Sequence, residues 1–257
     1  MSDKSSPRPQ VPAADQTLRI LSFLAGQRGP VAAGTIAATL GIPRSSVYHL
    51  LGALVEHGFV VHLPAERRFG LGPAAFELAG GYARQEPLAR LGRPLVAALA
   101  DRVGESAHLA VMTGRDVLYI VEERAPRRPA LVSDVGVRLP AHLTATGRAM
   151  LAAMPRAQVR ALYPDAGAFA DRTGRGPGRP GELRDVLREV RARGYAVEDG
   201  EVSLGLRSVG VAVTDHAGWP AAAVAVTWPD DAAVSADDLV PAVAEAAASL
   251  GRRIGRR

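Results

Sequence analysis

Along the first quarter of the chain, apolar positions form three helical stripes followed by an alternating hairpin. Leu18, Leu21 and Leu24, with Ile20 beside them, mark one side of a helix of about three turns. A shorter segment carries Ile36, Ala37 and Leu40 and stops at Gly41-Ile42-Pro43. There glycine supplies a left-handed turn position, and proline ends one helix while fitting the first turn of the next. In RSSVYHLLGALVEHG the residues Val47, Leu50, Leu51 and Leu54 recur at i, i+3, i+4 and i+7, which predicts a buried stripe. The opposite face then presents Ser45, His49, Gly52 and Glu56, with Tyr48 beside it and Arg44 and Ser46 near the N-terminus. After Gly58, the residues Phe59, Val61 and Leu63 alternate, Pro64-Ala65-Glu66 turns, and Arg67 to Gly72 returns as the second strand of a hairpin.

Beyond Gly72 the pattern changes twice. Residues 73–91 (PAAFELAGGYARQEP and its continuation) read as a linker helix. From 92 to 257, β-like runs (AHLAVMT, DVLYIVEE, SVGVAVTD, AAAVAVTW) alternate with helical segments, and a last helix from Ser235 carries Leu239, Val243, Leu250 and Ile254. That mixture predicts an α+β chain whose second domain has a partly antiparallel sheet. Residues 172–182, RTGRGPGRPGE, read as a solvated loop without regular structure. The expected organisation is a disordered tail over 1–14, a DNA-binding domain over 15–72, a linker over 73–91 and a larger domain over 92–257.

Helix, helix, glycine turn, helix and basic hairpin in that order describe a winged helix-turn-helix. Small residues at the start of the third helix allow close approach to DNA, and the amino end of a helix favours phosphate oxygens. The arginine-tipped hairpin reads as a wing along the backbone or in the minor groove. The residues expected at double-stranded DNA are Arg44, Ser45, Ser46, Tyr48, His49, Arg67 and Arg68. The plain alternative is a three-helix packing unit with surface arginines.

Composition narrows the function classes. Cysteine is absent from the 257 residues, which removes thiolate nucleophiles, disulfides and sulfur-ligated zinc and makes the cytoplasm the default compartment. The formal charge is +5, and Lys4 is the only lysine among 31 basic residues. An arginine-rich basic chain suits phosphate contacts, because the guanidinium fork donates two parallel hydrogen bonds to oxyanions. The polar, proline-rich start has no signal-peptide core, and no uncharged run approaches the roughly 20 residues that span a bilayer. The six histidines, His49, His57, His62, His108, His142 and His216, show no metal-site spacing. No catalytic constellation, metal site or cofactor motif emerges. The acidic residues near Glu198 leave an enzyme open as an alternative, as does an interaction module without DNA binding.

The run LGIPRSSVYHLLGALVEHGFV, followed by RRFGLG, resembles the N-terminal domain of the IclR family of bacterial transcriptional regulators. Further segments resemble the family's effector domain in order: GVRLPAHLTATGRAMLAAMP, RARGYAVEDGEVSLGLRSVGVAVTD and AAAVAVTWPD. The resemblance implies a regulator with a GAF-like effector domain, a curved antiparallel sheet flanked by helices, that forms a homodimer or homotetramer and binds a small organic metabolite. Thr144, Ala145, Thr146 and Gly147 would then lie at a helix start, the last three offering backbone donors to an anionic ligand. Glu198, Ser208, Ala225 and Thr227 would line the cavity from the facing strands. Glu198, Ser208 and Ala225 stand where family members often have Asp, Cys and Ser, and His49 stands where Arg is common. Ala225 and the apolar strands favour an aromatic or medium-sized acid.

Overall fold

The computed structural model describes residues 11–27, 29–78, 87–126 and 131–254. The chain divides into two compact units, Met1–Gln85 and Glu86–Arg257. In the first, helices α1 (Pro12–Ala25), α2 (Ala33–Leu40) and α3 (Arg44–Glu56) enclose an apolar core with strands β1 (Val31–Ala32), β2 (Val60–Leu63) and β3 (Arg68–Leu71). The strands form an antiparallel sheet in the order β1-β3-β2, and residues 73–78 are helical (α4). Between α2 and α3 the chain turns at Gly41, whose φ of 65° is left-handed, and the glycine N–H donates to the Ala37 carbonyl.

Three details differ from the sequence expectation. Helix α1 begins at Pro12, inside the expected tail, because proline fits the first turn where no N–H is needed; residues 1–10 lie outside the described part. Its buried line runs through Ile20 and Leu24, whereas Leu18, about 200° around the helix from Ile20, is 64% exposed. In the first strand of the hairpin the buried residue is Val60, and Val61 faces outward. Cross-strand pairing decides this: Val60 pairs with Leu71 and His62 with Phe69, so Val60 and the buried Phe69 share the core face, where His62 stacks on the Phe69 ring.

The second unit is built on six strands: β4 (Ser106–Thr113), β5 (Asp116–Glu123), β6 (Arg138–Pro140), β7 (Ala196–Asp199), β8 (Leu206–Thr214) and β9 (Pro220–Pro229). Their order is β6-β5-β4-β9-β8-β7, with every pairing antiparallel. Helices α5 (Pro87–Val103) and α9 (Ala236–Ile254) cover one face through Leu99, Val243 and Leu250. The other face receives α6 (Ala145–Ala153), α7 (Arg156–Leu162) and α8 (Pro180–Arg193). Strand β9 is central and covered on both sides, which is why its sequence is almost continuously apolar rather than alternating.

Helix α5 runs through residue 91, so the expected boundary between linker and second domain falls within a helix, and residues 79–86 of that linker lie outside the described part. Over 172–179 the arginine-rich stretch is the mostly exposed loop without regular structure that the sequence predicts; its end, from Pro180, belongs to α8, and its first residues bind across the turn after β7. Arg172 Nε donates to the Val202 carbonyl at 3.2 Å and Thr173 Oγ1 to the Gly200 carbonyl at 2.8 Å.

Candidate functional site

In the first unit, Val47, Leu51 and Leu54 fasten α3 to the core and turn its other side to solvent. Arg44, Ser45, Tyr48 and His49 are exposed there, with Ser46 half-buried. Tyr48 is 57% exposed, an aromatic ring held out on a polar face. The Arg44 guanidinium lies back over the start of α2: a Cβ placed on Gly34 would come within 2.7 Å of its Nη2. At the hairpin tip Arg67 adopts a φ of 52°. A non-glycine residue there costs about 1 kcal/mol of backbone strain. The neighbouring Arg68 is tied inward, its Nη1 donating to the Pro30 carbonyl at 3.2 Å. The two expected wing arginines thus differ, one at the tip and one clamped to the base.

The second unit holds a small cavity of about 30 Å³ between the sheet and the start of α6. Seven of the eight residues expected at an effector site line it: Thr144, Ala145, Thr146, Glu198, Ser208, Ala225 and Thr227. Strand register accounts for the sheet side. Glu198 pairs with Ser208 and Ser208 with Thr227, so β7, β8 and β9 project these side chains from one face. The helix side depends on close approach. A Cβ on Gly147 would sit 2.2 Å from the Ala141 carbonyl oxygen, and one on Gly210 of β8 would sit 2.9 Å from the Ala145 carbonyl carbon. Without side chains at these two positions, α6 can press its first turn against both its own entry loop and the sheet.

Gly147 is accordingly a packing residue and not part of the cavity wall. Its N–H is also spent, donating to Thr144 Oγ1 at 3.0 Å as the cap of α6. Of the three backbone donors expected from the sequence, the Ala145 and Thr146 amides remain, at helix positions that precede any intrahelical acceptor.

A chain of polar contacts crosses the cavity floor. His108 Nε2 lies 3.1 Å from Thr227 Oγ1, Thr227 Oγ1 lies 2.9 Å from Ser208 Oγ, and Ser208 Oγ donates to Glu198 Oε2 at 3.0 Å. The other carboxylate oxygen, Oε1, accepts from the Val202 N–H at 2.9 Å. Burial pushes the Glu198 carboxyl up to about 7, against the Val202 hydrogen bond that favours its charge. Burial, with Arg124 nearby, brings the His108 imidazole down to about 4. The Tyr119 hydroxyl, 3.5 Å from Thr146 Oγ1, is raised to about 12 by its burial. His108, Tyr119, Leu139, the 131–133 segment and Val202, Ser203 and Leu206 complete the walls, and sequence reasoning missed them. Period-two alternation along β4 does place His108 and Ala110 on one face, but only the pairing of His108 with Ala225 brings it to this cavity.

Buried Arg148 braces the site from behind. Its Nε donates to the His142 carbonyl, Nη1 to the Val197 carbonyl and Nη2 to Glu201 Oε1, each at 2.8 Å, linking α6, β7 and the turn after it. Among the described residues, no group of His, Asp and Glu is placed to hold a metal ion, and no helix is long and apolar enough to cross a membrane.

Over residues 13–64 the chain matches the IclR helix-turn-helix domain, and over 80–254 the domain described as bacterial transcriptional regulator IclR C-terminal. The glycerol operon regulatory protein of Streptomyces griseus is 30% identical over 249 residues, covering 95% of this chain and 97% of that protein. The crystal structure of an IclR transcriptional regulator from Alicyclobacillus acidocaldarius superposes with a TM-score of 0.82 at 25% identity, covering 95% of this chain and 99% of that one. An IclR homologue from Microbacterium hydrocarbonoxydans, complexed with 4-hydroxybenzoate, shares the fold with a TM-score of 0.75 at 22% identity, covering 94% of this chain and 98% of that one.

Proposed function

The chain belongs to the IclR family of bacterial transcriptional regulators, and we propose that it reads a two-fold symmetric operator and answers to a small organic acid, an aromatic one in preference. It is a regulator with a helix-turn-helix domain and a C-terminal effector domain, not an enzyme. The observation that carries the finer reading is the cavity, where the amino end of α6 faces the Glu198-Ser208-Thr227 floor; at about 30 Å³ it must open further to admit a ring. The Ala145 and Thr146 amides hold the carboxylate, as helix N-termini favour anions. Ala225, Leu139 and Tyr119 supply the apolar walls. The related protein bound to 4-hydroxybenzoate supports the same class of ligand here.

On the DNA side, Arg44, Ser45, Ser46, Tyr48 and His49 enter the major groove from α3, and Arg67 follows the backbone from the wing, with Arg68 holding the wing's base. A dimer on a two-fold axis presents two such helices to half-sites about one helical turn, roughly 34–36 Å, or a multiple of it apart. Two such dimers joined through the effector units would make the tetramer. Ligand control then requires that the acid bind one arrangement of the winged domains better than another. These assignments place the protein in the cytoplasm, where its operator is. Anisotropy of a labelled DNA fragment from upstream of its own gene, titrated with protein, tests the reading. A complex no tighter than that with unrelated DNA would refute it.

A further inference from the structure

The cavity floor carries an instruction about the ligand that follows from counting protons. Ser208 and Thr227 have one hydroxyl proton each, yet three contacts must be satisfied: Glu198 to Ser208, Ser208 to Thr227, and Thr227 to His108. When Glu198 is ionised it can only accept, so Ser208 donates to it and Thr227 must donate to Ser208. Thr227 then meets His108 as an acceptor, the imidazole proton sits on Nε2, and Nδ1 is left with a lone pair. When Glu198 is protonated it can donate as well as accept, so the chain can also run in reverse. In that sense Glu198 donates to Ser208, Ser208 to Thr227 and Thr227 to Nε2, which places the imidazole proton on Nδ1. With Glu198 ionised, any other assignment sets two lone pairs, or two protons, against each other in a buried contact.

His108 Nδ1 is the end of this chain. It is buried and has no hydrogen-bond partner in the structure, on a residue that is 1% exposed and lines the cavity. A buried imidazole nitrogen without a partner is costly, and a ligand in the cavity that His108 lines would supply one. We propose that His108 Nδ1 is the specificity-determining contact for the effector, taking a hydroxyl of the bound acid, with its donor or acceptor sense set by the proton on Glu198 through Ser208 and Thr227. A hydroxyl suits either sense, because it both donates and accepts. An ether oxygen suits only the protonated state of Glu198. This rests on the reading of the cavity as the effector site, and it adds a ligand class and a dependence on pH.

Two carboxyls flank the relay: Glu198 at its end, and Glu122, which pairs with His108 across β4 and β5, is raised by burial and has a buried Oε2 without a partner. Arg148 is engaged by Glu201, Glu201 Oε2 by the Asp199 N–H, Arg124 by Glu122, and Tyr119, packed edge-on to His108, keeps its proton. Burial brings Glu198 to about 7, so both senses of the chain are accessible near neutrality.

Isothermal calorimetry on the full-length protein with benzoate, 4-hydroxybenzoate, 3-hydroxybenzoate and 4-methoxybenzoate, at pH 6 and pH 8, tests the proposal. We expect a hydroxybenzoate to bind at least about tenfold tighter than benzoate. The disadvantage of the methoxy compound against its hydroxy counterpart should be several-fold larger at pH 8 than at pH 6. In Thr227→Val, which cuts the relay, that pH dependence should vanish. In His108→Phe, which keeps the ring packing against Tyr119, the preference for hydroxyl should vanish as well, and His108→Gln should restore part of it. Equal binding of benzoate and the hydroxybenzoates, unchanged in His108→Phe, would overturn this inference and leave the effector reading standing. A methoxy disadvantage independent of pH in the wild type would overturn the relay. No binding of any of the four acids would overturn the aromatic-acid reading and this inference with it.

Discussion

The hydroxyls of Ser208 and Thr227 stand 2.9 Å apart on directly paired residues of neighbouring strands, and through them the Glu198 carboxyl is joined to the His108 imidazole. Stability should register this link. Glu198 binds its proton more tightly folded, at about 7, than unfolded, at 4.5, so its contribution is fully present below 4.5 and is lost as pH rises through 7. His108 works the other way: its contribution is present above 6.5 and is lost as pH falls through about 4. The carboxyl shift corresponds to roughly 3 kcal/mol at most, or about 5–10 °C in a domain of this size. Thermal melts of Glu198→Gln against wild type should therefore show the variant gaining relative stability between pH 5 and pH 8. A constant difference across that range would contradict the assignment.

Gly147 and Gly210 test the close approach of α6. Alanine at Gly147 would place its Cβ 2.2 Å from the Ala141 carbonyl oxygen, a backbone atom that cannot swing aside. Gly147→Ala should cost about 2–4 kcal/mol in urea unfolding. Gly210→Ala, whose nearest atoms stand at 2.9–3.1 Å, should cost less and should weaken acid binding by displacing the α6 amides. Equal stability of Gly147→Ala and wild type would mean that α6 does not sit as described.

Arg148 offers a double-mutant cycle. Arg148→Met strands the Glu201 carboxylate and leaves the His142 and Val197 carbonyls without their donor, and it should cost about 3–5 kcal/mol. Adding Glu201→Gln should recover part of that loss. Strict additivity in urea midpoints would show that the pair is not coupled.

The parts of this molecule that were legible in the sequence are those set by local spacing. The Val47-Leu51-Leu54 stripe and the Gly41 turn are complete within one or two helical turns, and the β4, β5 and β9 segments announce themselves by their apolar runs. Choices made by distant partners were not legible. Whether Leu18 or Ile20 faces inward depends on where α2 and α3 lie, and the hairpin face depends on pairing with Phe69. The same holds for the site. Thr144, Thr146, Glu198, Ser208 and Thr227 were placed by resemblance to a family, whereas His108 joins them only because β4 pairs with β9, more than a hundred residues away. Gly210 looks like an ordinary strand residue until the α6 backbone is set against it.

The wing separates stability from DNA affinity. Arg67→Gly relieves the strain of a left-handed φ and should raise stability by up to about 1 kcal/mol, while removing a charge from the hairpin tip. Its complex with operator DNA should weaken, and the slope of log affinity against log salt should fall by about two, one for each Arg67 of the dimer. Arg68→Ala should lower stability instead, because it releases the hydrogen bond to the Pro30 carbonyl. An unchanged salt slope in Arg67→Gly would remove the tip arginine from the DNA interface.

The central claim is that an acid in the α6 cavity controls binding of the winged domain to DNA. Its most direct test is fluorescence anisotropy of a labelled fragment from upstream of the gene, titrated with full-length protein at moderate salt with and without 4-hydroxybenzoate, for wild type and Thr146→Trp. The account predicts a complex tighter than that with unrelated DNA, an affinity that changes at least about fivefold when the acid is added, and no such change in Thr146→Trp, whose indole fills the cavity. A wild-type complex indifferent to the acid, or a full response in Thr146→Trp, would contradict it.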